Sequence, residues 1–135
     1  MKGPAVALTQ LDFRQIQEEY RDSSKPLTDW WSYDIDLMPS RAEAKAVDGV
    51  QTLFCIRQVY IQIGIYQPDN IAAAREDWDV RVVRWPSGEP MASMVIRGPE
   101  PPQEIKKSAA GNRRLYYVGS PDNEAKRWLD EVIAR

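Results

Sequence analysis

Apolar and polar residues alternate along several stretches of the chain. In residues 30–37, WWSYDIDL, Trp31, Tyr33, Ile35 and Leu37 point one way and Trp30, Ser32, Asp34 and Asp36 the other. That pattern predicts a half-buried strand. The longest run is 50–67, which contains FCIRQVYIQIGIYQ. Cys55, Val59, Ile61, Ile63 and Ile65 share one parity, and Arg57 falls among them. A single strand of that length would reach ~60 Å, well beyond the usual ~17–20 Å. The reading therefore expects a break or bulge at Arg57–Gln58, with a second irregularity at Gly64. Residues 78–85, WDVRVVRW, and 91–97, MASMVIR, flank the turn-rich PSGEP and predict a β-hairpin. RLYYVG, near residue 115, predicts one more short strand.

Helical signals are fewer. Leu11, Phe13, Ile16 and Tyr20 are broadly helix-spaced, so residues 9–21 predict a helix that Pro26 ends. Ser40 with Glu43 forms a capping box before a short helix over 41–48. IAAARED, 71–77, suits a helical turn or a loop, and 98–112, rich in Gly and Pro, a long surface loop. Ser120-Pro121-Asp122 opens a C-terminal helix whose stripe is Ala125, Trp128, Leu129, Val132 and Ile133. The sum is an α+β fold. An antiparallel sheet of about four to six strands has one face covered by the C-terminal helix and by the N-terminal helix. Residues 1–26 read as an N-terminal helix or arm, and 27–135 as a single α+β domain. Trp128 is the side chain expected to be most buried.

Composition narrows the chemistry. At 135 residues, the chain can bury roughly two-thirds of its extended surface without a disulfide or metal staple. It has no histidine and one cysteine, Cys55. This removes Ser-His-Asp and Cys-His nucleophile systems, an intrachain disulfide, and zinc sites of His or Cys/His type. Cys55 lies in an apolar strand and reads as an inert thiol. The net charge is −2, and residues 78–135 hold 10 basic against 8 acidic residues. That balance gives no strong nucleic-acid signal. No apolar run reaches the ~18 residues of a membrane span. The opening MKGPAVALTQ is too short for a signal-peptide core. Two locations stay open: the cytoplasm, or an extracytoplasmic site if a signal or anchor was removed.

Four constellations could carry function. Asp34 and Asp36 form a D-x-D, ~6.6 Å apart along a strand, able to share a divalent cation. The same acids also fit the wet face of an amphipathic strand. Pro68-Asp69 with Glu76-Asp77 resembles the metal-binding acids of PD-(D/E)xK nucleases, but Trp78 stands where the lysine belongs. Arg57, Arg81, Arg84, Arg97, Arg113 and Arg114 with Tyr60 and Tyr66 could line a single-strand nucleic-acid surface, or be scattered surface charges. Tyr60, Gln62 and Tyr66 share a parity and suit stacking against a ligand or protein, or ordinary cross-strand packing.

The segment from DVRVVRWPSGEPMASMVIRGPEPP through YYVGSPDNEAKRWLDEVI, residues 79–133, resembles a pattern that recurs in small uncharacterised bacterial α+β domains, often extracytoplasmic and held beyond a membrane anchor. The shared features are a V-x-W-x-S/T-G hairpin, G-x-x-P-P, Y-G-S-P and a closing helix with tryptophan. Val118 separates tyrosine from glycine here. The resemblance implies no activity, cofactor or functional residue.

The expectation is a non-enzymatic interaction or ligand-binding module without a cofactor. Helices for only one sheet face leave Tyr60, Gln62 and Tyr66 on an open face, suited to a homodimer or a protein partner. A metal-dependent enzyme on Asp34 and Asp36, and a single-strand nucleic-acid binder on Tyr60, Tyr66 and nearby arginines, are the alternatives.

Overall fold

The computed structural model describes residues 5–20, 31–32, 50–105 and 114–134. The strands are β1 (Ala5–Gln15), β2 (Trp31–Ser32), β3 (Thr52–Tyr66), β4 (Ile71–Arg84), β5 (Pro90–Ile96) and β6 (Leu115–Tyr116), followed by helix α1 (Asp122–Ala134). They form one mixed sheet in the order β2-β1-β3-β4-β5, and β6 pairs with β4. β1 runs parallel to β3, and β6 parallel to β4; the other pairings are antiparallel. The α+β class therefore holds, but the sheet is not purely antiparallel.

The N-terminal segment is a correction. Residues 9–15 belong to a strand, not to a helix or detached arm. The helical spacing of Leu11, Phe13 and Ile16 overlaps a period-two series that starts upstream. Ala5, Ala7, Thr9 and Phe13 are buried, and Leu11 packs beside them. Small side chains at 5, 7 and 9 made that series faint by hydrophobicity alone. After Gln15 the chain turns back, with Ile16 N–H donating to the Phe13 carbonyl at 3.0 Å. A 3-10 turn at Glu18–Tyr20 then lays Ile16 and Tyr20 on the sheet.

β3 is one strand through Arg57, where a break was expected. The arginine stays in register opposite Asp79, and its Nε donates to Gln10 Oε1 at 3.2 Å. The irregularity lies at Gly64: Gln62 pairs with Ala74 and Gly64 with Ala73, so one extra residue is inserted. IAAARED is the first half of β4 and neither helix nor loop. Its alanines favour helix intrinsically, but here they fit close against neighbouring strands and covering side chains. The β3–β4 turn holds Asn70 at φ 58°, and the β4–β5 turn holds Gly88 at φ 75°, both left-handed. The β4–β5 hairpin, the short strand near 115 and the C-terminal helix lie where the sequence predicted them. Strand residues 33–37 and the helix over 41–48 lie outside the described residues, as does the loop from 106 to 113.

One sheet face carries the main core. Phe54, Ile56, Trp78, Val80, Val82 and Ile96 meet Ala125, Leu129 and Val132 of α1. Farther along the same face, Phe13, Ile16 and Tyr20 close over Tyr60, Ala72 and Ala74. Trp78, at 1% exposure, is the largest fully buried side chain among the described residues. Trp128 is only half-buried at the margin of the core, and α1 presents Ala125, Leu129 and Val132 inward instead. On the opposite face, residues 97–105 cross the β4 end and cover Tyr66, Ile71 and Ala73 with Ile105 and Tyr116.

Candidate functional site

The expected tyrosine surface is not a surface. Tyr60 is 4% exposed and Tyr66 8%. The bulge before Gly64 reverses the parity of β3, so the two rings lie on opposite faces of the sheet. Tyr60 packs with Ala72 and Ala74, Tyr66 with Ile71 and Ala73. Tyr60 stacks on Phe13 with ring centroids 4.5 Å apart, and Tyr117 meets its edge at 5.1 Å. Burial, then the neighbouring Glu76 carboxylate, pushes the Tyr60 phenol far above its usual value. Gln62 accepts a hydrogen bond from the Gln17 N–H at 3.0 Å and so holds the returning turn. These three residues build cover on the sheet. The coverings the sequence did not reveal are that turn and the 97–105 loop.

Glu76 and Asp77 illustrate how a strand separates adjacent acids. Glu76 is 3% exposed under the helix-covered face and accepts from the Trp78 indole Nε1 at 2.6 Å. Burial raises its carboxyl pKa, against the opposing pull of hydrogen bonds from Trp78 and Tyr60. Asp77 faces the other way and takes two bonds from Arg75, at 2.8 and 3.0 Å. Asp69 sits exposed in the β3–β4 turn. The nuclease-like acids therefore do not converge. Among the described residues no group of His, Cys, Asp and Glu is arranged to hold a metal. Asp34 and Asp36 lie outside the described residues.

The Asp77 side holds the 97–105 loop. Gly98 N–H donates to Asp77 Oδ1 at 3.0 Å. Arg75 Nη1 donates to Glu100 Oε1 at 2.9 Å, and the Tyr66 hydroxyl to the Pro102 carbonyl at 2.6 Å. Gly98 lies so close to the strand that a Cβ there would collide with the Glu76 carbonyl oxygen.

The arginines do not pool into one basic surface. Arg81 pairs with Asp79, Arg84 with Glu89 and Arg97 with Glu100. Arg114 reaches the Glu19 carbonyl, and Arg113 lies outside the described residues. Burial pushes the Cys55 thiol up, with Arg81 opposing, so Cys55 is not an activated nucleophile.

What the fold does expose is the β4–β5 hairpin. Trp85 at its turn is 49% exposed, Met94 43% and Val95 66%. Cross-strand register places Met94 with Val80 on the helix-covered face and Val95 with Asp79 on the other. β5 is the outer strand, and its far edge is unpaired among the described residues. An open groove of about 820 Å³ follows the hairpin, lined by Asp79, Arg81, Pro90, Met91, Ser93 and Val95 among others. In MASMVIR, Val95 shares its parity with Met91, Ser93 and Arg97. No family model, curated protein or solved structure matches the chain.

Proposed function

We propose that this chain is a non-enzymatic protein-interaction module whose docking element is the β4–β5 hairpin. The observation that carries this reading is Val95, the most exposed of the large apolar side chains, on an outer strand with an unpaired edge among the described residues. An unpaired edge offers a row of backbone donors and acceptors to an incoming strand. Flanking apolar side chains and a groove then supply contacts for that strand's alternate residues.

The test is a screen of immobilised extended peptides against the purified chain. A set of binders is expected, lost in Val95→Lys while the thermal midpoint stays unchanged. Two other results would overturn the reading. Mg²⁺- or Mn²⁺-dependent turnover of a phosphoester or nucleotide sugar, abolished by Asp34→Ala with Asp36→Ala, would make the chain a metal-dependent enzyme. Oligonucleotide binding that weakens steeply with salt would make it a nucleic-acid binder.

A further inference from the structure

We infer that the partner strand is β5 of a second copy of this chain, paired antiparallel about a twofold axis at Ser93. The inference rests on the docking reading above and names its occupant. Six consecutive residues of β5, Met91 to Ile96, carry no charge. Edge strands that avoid association place charges, prolines or bulges along their length. β5 has such features only at its hairpin end, where Pro90 sits and the register shifts between Val82 and Val83.

Charge order supplies the second argument. Glu89 and Arg97 lie four residues to either side of Ser93. With Ser93 opposite Ser93, Ala92 meets Met94, Val95 faces the stretch beside the bulge at Met91, and Glu89 comes to the end where Arg97 of the other copy stands. The twofold repeats each contact, so apolar residues fill the middle and opposite charges close both ends. Both end charges are accessible for this: Arg97 and Glu89 side chains are 68% and 66% exposed. Their contacts within the chain, to Glu100 at 2.7 Å and to Arg84 at 3.5 Å, are surface pairs that exchange at small cost. A parallel pairing of two β5 strands would set Glu89 beside Glu89 and Arg97 beside Arg97.

Sedimentation equilibrium of the full chain and its charge variants tests this. The parent is expected to show a monomer–dimer equilibrium. Glu89→Arg alone, or Arg97→Glu alone, places like charges at both ends and should raise the dimer dissociation constant about tenfold or more. Mixing the two single variants should restore association, as a heterodimer in which both ends again pair opposite charges. Val95→Lys, in the apolar middle of the pair, should weaken association with an unchanged thermal midpoint, which separates loss of pairing from loss of folding. A parent that stays monomeric over the accessible concentration range overturns the inference, and the peptide screen then decides the docking reading by itself. A dimer indifferent to all three variants, or single variants that fail to rescue each other, overturns it too.

Discussion

The two halves of β4 share one alternation and differ in what lies over them. From Ile71 to Trp78 every residue but Arg75 is buried. From Asp79 to Arg84 only Val80 and Val82 are. Both halves have the same neighbour on one side, β3, and both are covered on the helix side. The difference comes from the other face, where the 97–105 loop crosses the first half and stops short of the second. Burial along this strand therefore follows a loop of Gly, Pro and charged residues whose Ile105, with Tyr116 of β6, supplies apolar cover. Polar bonds also hold it: Gly98 to Asp77, Glu100 to Arg75, Pro102 to Tyr66.

The strongest way to break the contrast is to damage the doubly covered half. Trp78→Ala removes the largest buried side chain and the indole that donates to Glu76. A loss of about 3–5 kcal/mol is expected in urea unfolding. A loss below ~1 kcal/mol would mean that this half does not govern the fold. Gly98→Ala should lift the loop, because the clash is with backbone and no rotamer relieves it. The expected penalty is ~1–3 kcal/mol, together with faster exchange of the position-98 amide that bonds Asp77. Unchanged exchange would show that the loop does not need this close approach. Tyr66→Phe keeps the ring and deletes the bond to Pro102; about 1 kcal/mol should be lost, read from the denaturant midpoint. Val95→Lys, on β5 beside the singly covered half, should move stability by no more than ~0.5 kcal/mol. A large loss there would mean that the second half is covered as well.

What the sequence made legible was local. The β4–β5 hairpin was marked by PSGEP between two alternating runs, and α1 by Pro121, Asp122 and an apolar stripe. Each depends on residues a few positions apart. β1 was misread because its pairing with β3 spans more than forty positions, and nothing in TQLDFRQIQ announces a distant partner. The alanines of IAAARED carry a helix preference that tertiary contact overrides. The parity of β3 misled for a different reason. Both its faces hold apolar residues, as befits an interior strand, so hydrophobicity could not say which face the main core would take. Gly64 was flagged as an irregularity, but the consequence for Tyr66, a change of face, follows only when the register with β4 is known. The rings expected to meet a partner, Tyr60 and Tyr66, are buried.

Glu76 gives the fold a proton-linked component of its stability. A carboxyl held above its ordinary value of 4.5 binds its proton more tightly in the folded chain than in the unfolded one. Its favourable share is complete below that ordinary value and drains away as pH rises through the folded value. Asp12 works in the opposite sense: hydrogen bonds from Arg14 lower its pKa, so its share is present above 3.8 and vanishes on strong acidification. The two shares run in opposite directions: that of Asp12 grows as pH rises from strong acid, and that of Glu76 is lost as pH rises through its raised folded value. In Glu76→Gln the decline with rising pH should flatten, a change visible in urea midpoints collected across a pH series, while the acid-side loss due to Asp12 remains.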